Sequence, residues 1–236
     1  MRFFRFLEDP ISLLYFIPVF LITIVVHEVS HAYAAYKLGD RTAAAMGRLT
    51  LNPLRHIDPF GLIMLLIVGF GWAKPVPINP RNFKNEKSGM AISALAGPVS
   101  NILMAFAGLI IFKIIVLIGK NADIILLRGH DISVVTGAAG SVMIAALTFF
   151  SRFYTMNIWF AVFNLLPIPP LDGSRIVNYF LPPRWSYYYS FLERYGFIIL
   201  MALLWTGILW VPLGFFGGLI EGAMNFILDP VFNLFM

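Results

Sequence analysis

The strongest constraint on the fold is an uncharged run from Ile11 to Val26 that leads directly into the motif His27-Glu28-Val-Ser-His31. A membrane-spanning helix needs about 20 predominantly apolar residues, and this run with the residues after it supplies them. The chain is 59% hydrophobic and only 12% charged, whereas about a quarter of the residues of a soluble domain are charged. The sequence therefore predicts an integral membrane protein with ionisable groups inside its first span, where such groups are costly and usually functional.

The spacing of this motif indicates a metal site. A helix places His27 and His31 on one face, where two imidazoles can bind a single metal ion. Glu28 lies one position on and is close enough to take a proton from a metal-bound water. A chance match on a solvated helix is the alternative, but an unpaired Glu and two His would be costly after so apolar a run. The motif is typical of a zinc hydrolase, here inside a membrane.

Two histidines leave such a site one ligand short, because a catalytic zinc uses three protein ligands and keeps one position open. The chain has no cysteine, so the third ligand must be histidine or carboxylate. The remaining candidates are His56, Asp58, Asp123, His130, Asp131, Asp172, Glu193 and Glu221. Of these, Asp172 alone follows a proline-broken stretch at the predicted level of the two histidines. A helix N-cap is its alternative role, and the two roles are compatible.

The apolar segments predict an all-α polytopic membrane protein with about five to six transmembrane helices. The first three spans are expected at about 10–38, 89–118 and 138–166. A further apolar stretch, Tyr195 to Ile220, is divided by Pro212 and adds one or two more. We expect one domain over 1–236, with a catalytic core at about 10–185 and C-terminal helices at about 187–236.

The connection 37–88 carries eight Lys and Arg residues, against two in 119–131. The positive-inside rule therefore places this connection in the cytoplasm and the histidine motif toward the cytoplasmic side. The segment 69–77 is rich in Gly and Pro and follows an apolar run too short to span, which predicts a re-entrant or membrane-edge β segment. The segment 46–51 also alternates like a strand. The net charge of +5 reflects this connection, and no nucleic acid partner is expected.

Three motifs together resemble a known family: His27-Glu28-x-x-His31, Ala96-Gly97-Pro98-x-x-Asn101 and Phe163-Asn164-Leu-Leu-Pro167-x-x-Pro170-x-Asp172-Gly173. In order, spacing and membrane setting they resemble the site-2 protease family of intramembrane zinc metalloproteases. The resemblance covers about residues 10–185. It corresponds to a compact form, without a PDZ domain and without a C-terminal nucleotide-sensing CBS domain.

The resemblance implies that His27, His31 and Asp172 bind one zinc ion per chain and that Glu28 is the catalytic base. It also implies that Asn164 holds the substrate or polarises the scissile carbonyl, although helix capping or packing is an alternative for this residue. We assign Asn101 to interhelical hydrogen bonding, and His56 to pairing within its loop.

The expected function is that of a zinc metalloendopeptidase that hydrolyses peptide bonds within or near transmembrane segments. Its expected partners are a membrane-protein or membrane-peptide substrate and the lipid bilayer, in the plasma membrane of a bacterium. Strand addition to 46–51 or 69–77 would present the substrate as extended backbone. The alternatives are a membrane metal-ion transporter or metal-binding protein that uses the same His/Asp cluster, and a catalytically silent scaffold. A transporter would more naturally show repeats and ligands in both halves.

Overall fold

The structure is a computed structural model that describes residues 10–68, 71–128, 131–134 and 137–235. Its helices are α1 Pro10–Lys37, α2 Thr42–Ala45, α3 Pro59–Val68, α4 Glu86–Asn121, α5 Ala138–Leu165, α6 Asp172–Phe180, α7 Pro183–Thr206 and α8 Trp210–Asn233. Two short 3-10 turns lie at Pro53–Arg55 and Pro80–Asn82. The predicted helical class is therefore confirmed.

A short hairpin lies between α4 and α5, where the sequence predicts only a connecting loop. Its strands are β1 (Ile125–Arg128) and β2 (Asp131–Val134), which pair antiparallel with Ile125 opposite Val134. The side chain of Ile125 is buried and packs with Val116 of α4 and Leu147 of α5. The hairpin thus closes the end of the α4–α5 pair.

Three of the described helices, α1, α4 and α8, are long and apolar enough to cross a membrane. The predicted number of five to six spans is not confirmed by this criterion. Large apolar side chains point outward from several helices, as shown by Leu14, Trp205 and Phe226, which are 74%, 84% and 82% exposed. So extensive an apolar exterior is expected where the surrounding medium is lipid.

Helix α4 is the centre of the fold because it packs against α1, α5 and α6. The half of α4 that faces α1 is lined with small residues, and it buries Gly89, Ala91, Ser93, Ala94 and Gly97. Small side chains allow two membrane helices to approach closely. This packing places α4 directly behind the histidine face of α1.

The C-terminal helices complete one apolar core with α4 and α5. Buried residues of the four helices form a single cluster, which includes Leu109, Val162, Leu200, Leu213 and Leu228. An ion pair also joins α4 to α8, with Lys113 Nζ 2.6 Å from Asp229 Oδ1. These contacts anchor the helix that backs the histidine motif.

The structure differs from the sequence prediction in the connection between α1 and α4. No strand forms at 46–51, where Gly47 adopts φ +65 and turns the backbone out of an extended path. In the described part of this connection, the one β-type pairing is an isolated bridge between Ile57 and Ala73. The short apolar run becomes α3, and residues 71–79 follow without helix or strand. Residues 69 and 70 of the predicted membrane-edge segment lie outside the described residues. The β segment is therefore not confirmed.

The C-terminal break also lies elsewhere than predicted. The chain turns at Gly207, which has φ +74 and separates α7 from α8. Pro212 lies in the first turn of α8. A proline is tolerated there because the first backbone N–H groups of a helix have no partner within it.

Candidate active site

Three potential metal ligands converge between α1 and the start of α6. His27 Nε2 and His31 Nε2 lie 2.9 Å apart, and they lie 3.1 Å and 3.2 Å from Asp172 Oδ2. Both histidines are buried, with 3% and 6% of their surface exposed. The structure therefore brings together the three residues that the sequence singles out, from positions 145 apart in the chain.

The hydrogen bonds of the two Nδ1 atoms fix which nitrogen of each neutral imidazole carries the proton. His31 Nδ1 lies 2.7 Å from the carbonyl oxygen of Ser93, which can only accept, so Nδ1 carries the proton. His27 Nδ1 lies 2.6 Å from Asn101 Oδ1, and Asn101 Nδ2 donates to Asn157 Oδ1 at 2.9 Å. This network assigns the oxygen of Asn101 to His27, so Nδ1 of His27 also donates. In the neutral rings, both Nε2 atoms therefore present lone pairs.

The donor set fits a metal ion. Two Nε2 lone pairs and one carboxylate oxygen meet, and Asp172 Oδ2 has no hydrogen-bond donor among the residues described. Three buried electron-pair donors at such distances are unfavourable unless a cation lies between them. Two imidazoles and a carboxylate, with the far nitrogens hydrogen-bonded, are typical of catalytic zinc sites.

Two glycines make this convergence possible. A Cβ atom on Gly97 would lie 2.4 Å from His31 Nε2 and 2.6 Å from His27 Cε1, so only glycine lets α4 pass this close to the pair. A Cβ atom on Gly173 would lie 2.1 Å from the carbonyl oxygen of Leu165. The absence of a side chain at Gly173 thus allows α6 to begin against the end of α5, with Asp172 turned toward α1.

Glu28 lies beside the three ligands and receives a hydrogen bond from a distant segment. The backbone N–H of Val76 donates to Glu28 Oε2 at 2.9 Å. Val76 lies between Pro75 and Pro77, which have no backbone N–H, so the N–H of Val76 is the single backbone donor of this tripeptide. We call residues 71–79 the strap, because this segment passes over the carboxylate of Glu28.

A buried arginine holds the middle of the strap. Arg48 is 6% exposed, and its Nη2 donates to the carbonyl oxygens of Lys74 and Pro75 at 3.2 Å each. The N–H of Lys74 donates to the carbonyl oxygen of His56 at 2.9 Å. These three bonds involve Lys74 and Pro75, which directly precede Val76. They therefore position the N–H of Val76 toward Glu28.

Asp40 holds the far end of the strap. Its side chain accepts from the N–H of Asn79 at 2.8 Å, from Asn82 Nδ2 at 2.7 Å, and from the N–H and hydroxyl of Thr42. Burial alone would raise the pKa of Asp40, but the bonds from Thr42, Asn82 and Asn79 outweigh it and hold that pKa below its ordinary value. The ionised carboxylate is thus a fixed anchor at neutral pH.

The site opens into a cavity of about 200 Å³, whose walls include His27, Glu28, Val76, Asn164 and Asp172. Asn164 therefore faces the same cavity as Glu28 and the three potential ligands. In this structure its Nδ2 donates to the carbonyl oxygen of Phe160 in the preceding turn at 2.9 Å. That bond is the helix-packing alternative for Asn164, and it leaves the second N–H of the amide for another acceptor.

None of the other candidate ligands that the structure describes joins this cluster. Among the described residues, His27, His31 and Asp172 form the one group whose ligand atoms could share an ion. His56 is buried, and its Nε2 lies 2.7 Å from the carbonyl oxygen of Thr50, in agreement with pairing inside its loop. His130 lies outside the described residues. The N-cap alternative for Asp172 is wrong, because Leu171 occupies the N-cap position of α6 and Asp172 is its first helical residue.

Sequence reasoning missed several residues that support the site. Asn101 does make interhelical hydrogen bonds, as expected, but one of them orients His27. Asn157, Arg48 and the backbone groups of Ser93 and Val76 were not identified. A buried asparagine inside an apolar helix is a signal that could have pointed to Asn157. Backbone donors and acceptors leave no such signal in a sequence.

Comparison with known proteins identifies the family of this chain. The model of peptidase family M50 matches residues 15–204. A protein of Bacillus subtilis (strain 168) named "Putative zinc metalloprotease YwhC" is 40% identical over 97% of this chain and 91% of its own length. Proteins named "Putative zinc metalloprotease Rip2" are 28% identical in Mycolicibacterium smegmatis and 27% identical in Mycobacterium tuberculosis H37Rv. These cover 84% and 78% of this chain, and 72% and 63% of the relatives. No solved structure matches the chain significantly.

The helical fold and the His/Asp cluster beside a glutamate define a membrane metalloprotease. The chain belongs to peptidase family M50, the site-2 protease family. It is a metalloendopeptidase, and its relatives imply zinc as the metal.

Proposed function

We propose that this protein is an intramembrane zinc metalloendopeptidase that hydrolyses peptide bonds within or near transmembrane segments of membrane proteins or peptides. The observation that carries the proposal is the convergence of His27, His31 and Asp172 next to Glu28 on the apolar helix α1. Hydrolytic residues at that position act on a substrate that is itself in the membrane.

In this proposal His27, His31 and Asp172 hold one zinc ion per chain. In the neutral rings, the hydrogen bonds to Asn101 and Ser93 keep the proton on Nδ1, so both Nε2 atoms aim a lone pair toward Asp172. Zinc, when bound there, lowers the pKa of water to about 7 and polarises the substrate carbonyl.

Glu28 is the general base and later the proton donor to the leaving amine. The N–H of Val76 binds one carboxylate oxygen of Glu28, so the second oxygen is available for proton transfer. The same bond keeps the carboxylate turned toward the cavity. Asn164 donates its remaining amide N–H to the oxygen of the scissile carbonyl as negative charge develops there. The cavity that Glu28 and Asn164 share supports these two roles.

The substrate lies extended beside the strap. The edge of the strap offers few donors, because Pro75 and Pro77 have no N–H and the N–H of Val76 is bonded to Glu28. A substrate would therefore pair with carbonyl oxygens of the strap, and substrate pairing through a regular ladder is less favoured here than the sequence alone predicts.

Four spans cross the plasma membrane of a bacterium in this proposal. Helix α5 has 28 residues, so at about 1.5 Å per residue it is roughly 42 Å long, which exceeds a hydrocarbon core of about 30 Å. It joins α1, α4 and α8 as spans of one membrane-embedded domain, with the basic connection 37–88 and the active site toward the cytoplasm. Helix α7 is not counted as a span, because α8 begins with Trp210 beside Trp159 near the cytoplasmic end of α5 and pairs through Asp229 with Lys113 in the outer half of α4.

The test is cleavage in a purified system. The full chain in liposomes is mixed with a panel of single-span substrates, with a zinc chelator and Asp172→Ala as controls. We expect cleavage within or next to the span, one zinc per chain, and loss of both in Asp172→Ala. Zinc bound by Asp172→Ala with unchanged stoichiometry and affinity would contradict the ligand assignment, and metal flux without cleavage would favour the transporter.

A further inference from the structure

A second and larger cavity adjoins the catalytic one. It has a volume of about 470 Å³, against about 200 Å³ for the catalytic cavity, and the two share Met90, Pro170 and Arg175 as walls. We call the larger cavity the vestibule. Its size falls within the range of about 300–1,000 Å³ that is typical of ligand sites in proteins.

The walls of the vestibule carry several polar side chains, unlike the outer surface of the helices around it. Its walls include Glu86 and Lys87 at the start of α4, Asn178 of α6 and Glu193 of α7. The first turn of α4 follows directly on the polar connection, so the vestibule opens on the side of the basic connection. A peptide that leaves the catalytic cavity in this direction therefore moves toward the polar connection.

Arg175 lies at the neck between the two cavities. Its guanidinium reaches from α6 across to α4, where Nη1 lies 3.9 Å from the sulfur of Met90. In the part of the chain that the structure describes, Arg175 forms no ion pair. Of the carboxylates in the catalytic cavity, Glu28 accepts from Val76 and Asp172 faces the two histidines. Glu86 and Glu193 also line the vestibule, but neither forms an ion pair with Arg175. The neck therefore carries a positive charge without an anionic partner.

We propose that the vestibule binds the polar extension of the substrate next to the scissile bond, and that Arg175 selects a carboxylate in it. This inference rests on the proposed function. A guanidinium matches a carboxylate through two parallel hydrogen bonds, which lysine cannot reproduce. The carboxylate is an Asp or Glu side chain of the extension, or the C-terminus of a short extension. The vestibule thus sets sequence preference, while the catalytic cavity performs the hydrolysis.

The cleavage test uses single-span substrates whose extension is neutral except for one glutamate, moved one position at a time. Each is compared with its glutamine counterpart. A second set has no acidic side chain and ends at different lengths, with either a free or an amidated C-terminus. We expect kcat/KM to rise about 5- to 20-fold for a carboxylate at one position, as expected for a partly exposed ion pair with hydrogen bonds. The set that shows the rise identifies the source of the carboxylate.

The matched variants are Arg175→Gln, Arg175→Lys and Arg175→Glu, with Arg184→Gln as the control. Arg184 is an exposed arginine that lines neither cavity. The preference is the ratio of kcat/KM between the substrate with the carboxylate and its neutral counterpart. We expect Arg175→Gln to bring this ratio to about 1 and Arg175→Lys to keep part of it. Arg175→Glu should favour a lysine at the same position. The control keeps the full preference. No preference in the wild-type chain, or an equal loss for every substrate in Arg175→Gln, would overturn the proposal.

A binding measurement separates this inference from the proposed function. Fluorescent peptides with the same extensions are titrated onto the inactive Glu28→Gln variant, with and without Arg175→Gln. We expect carboxylate-dependent binding that Arg175→Gln removes, even if no substrate of the panel is cleaved. Cleavage without carboxylate-dependent binding or preference would support the proposed protease and overturn the role of Arg175.

Discussion

At the scale of single residues, the site depends on which ring nitrogen of each histidine carries a proton. Ser93 and Asn101 accept from the two Nδ1 atoms, so both Nε2 atoms point unprotonated at Asp172. Such outer hydrogen bonds orient metal ligands and raise their basicity. The amide of Asn101 is itself oriented by Asn157, so the geometry of His27 depends on two asparagines buried in apolar helices.

Replacement of Asn101 by alanine should weaken zinc binding. It removes the acceptor of His27 Nδ1 and frees the ring to rotate, which typically costs 10- to 100-fold in metal affinity. The measurement is competition for zinc against a chelator of known affinity. Asn121→Ala, at the exposed end of the same helix, is the control. Equal zinc affinities in the two variants would show that Asn101 does not orient the ligand.

At the scale of elements, the strap brings a backbone donor to Glu28 from 48 positions away. Because the strap lacks regular secondary structure, its path depends on side chains that bind its backbone. Arg48 holds the middle and Asp40 the far end. The connection between α1 and α4 is thus a wall of the active site, with its position fixed by two charged residues.

Replacement of Arg48 by alanine should lower kcat more than it changes KM. The carbonyl oxygens of Lys74 and Pro75 lose their donor, and the N–H of Val76 shifts away from Glu28. A small misplacement of a catalytic group can cost up to about 100-fold in rate, and we expect a loss of about 10- to 100-fold. Arg48→Lys should recover part of the rate, since an ammonium can reach one of the two carbonyl oxygens.

The control for this experiment is Arg41→Ala. Arg41 is exposed, and its guanidinium carbon lies 5.9 Å from the centre of the Tyr36 ring. Its replacement should leave kcat near the wild-type value. If both variants lose rate equally, or if Arg48→Ala changes KM alone, Arg48 does not position Glu28.

The anchor at Asp40 predicts a pH dependence. The folded-state pKa of Asp40 lies below its ordinary value of 3.8, so its contribution to stability is fully present above that value. It is lost as the pH falls through the lower, folded-state pKa. Hydrogen exchange at the N–H of Asn79, corrected for the intrinsic rate, should show protection that drops about tenfold or more in acid. Asp40→Asn should show low protection at every pH. A drop of the same size in Asp40→Asn would assign it to another group.

The sequence predicts the helices and the three converging ligands because apolar periodicity and ligand spacing are properties of side chains. It does not predict the bonds of the strap, because the N–H of Val76 that binds Glu28 is a backbone group and Arg48 looks like any other charge of the connection. The sequence predicts the break between the last two helices at Pro212, because proline is a stronger breaking signal than glycine. The chain turns at Gly207 instead, and the first turn of α8 accommodates Pro212. The hairpin after α4 has strands of only four residues and depends on tertiary packing of Ile125.

At the scale of the whole molecule, the orientation of the helices decides which compartment the site serves. The basic connection and the vestibule lie on one side of the bundle in the proposed topology, and the hairpin lies on the other. The charge bias places the basic side in the cytoplasm. Substrate segments there would enter the vestibule directly.

Cysteine labelling tests this orientation without background, because the chain has no cysteine. We expect Arg55→Cys to react with a membrane-impermeant maleimide only after cells are permeabilised, since it is exposed on the connection. Ala122→Cys, exposed at the other end of α4, should react in intact cells. The opposite pattern would place the active site toward the outside.

The central claim is that His27, His31 and Asp172 hold zinc while Glu28 performs chemistry without binding the metal. The most direct test is Glu28→Gln, measured for zinc content and for cleavage in the same preparation. The glutamine oxygen can still accept from Val76, so the strap should stay in place. We predict one zinc per chain with the wild-type affinity and no detectable cleavage. Loss of zinc, or cleavage at the wild-type rate, would contradict this account.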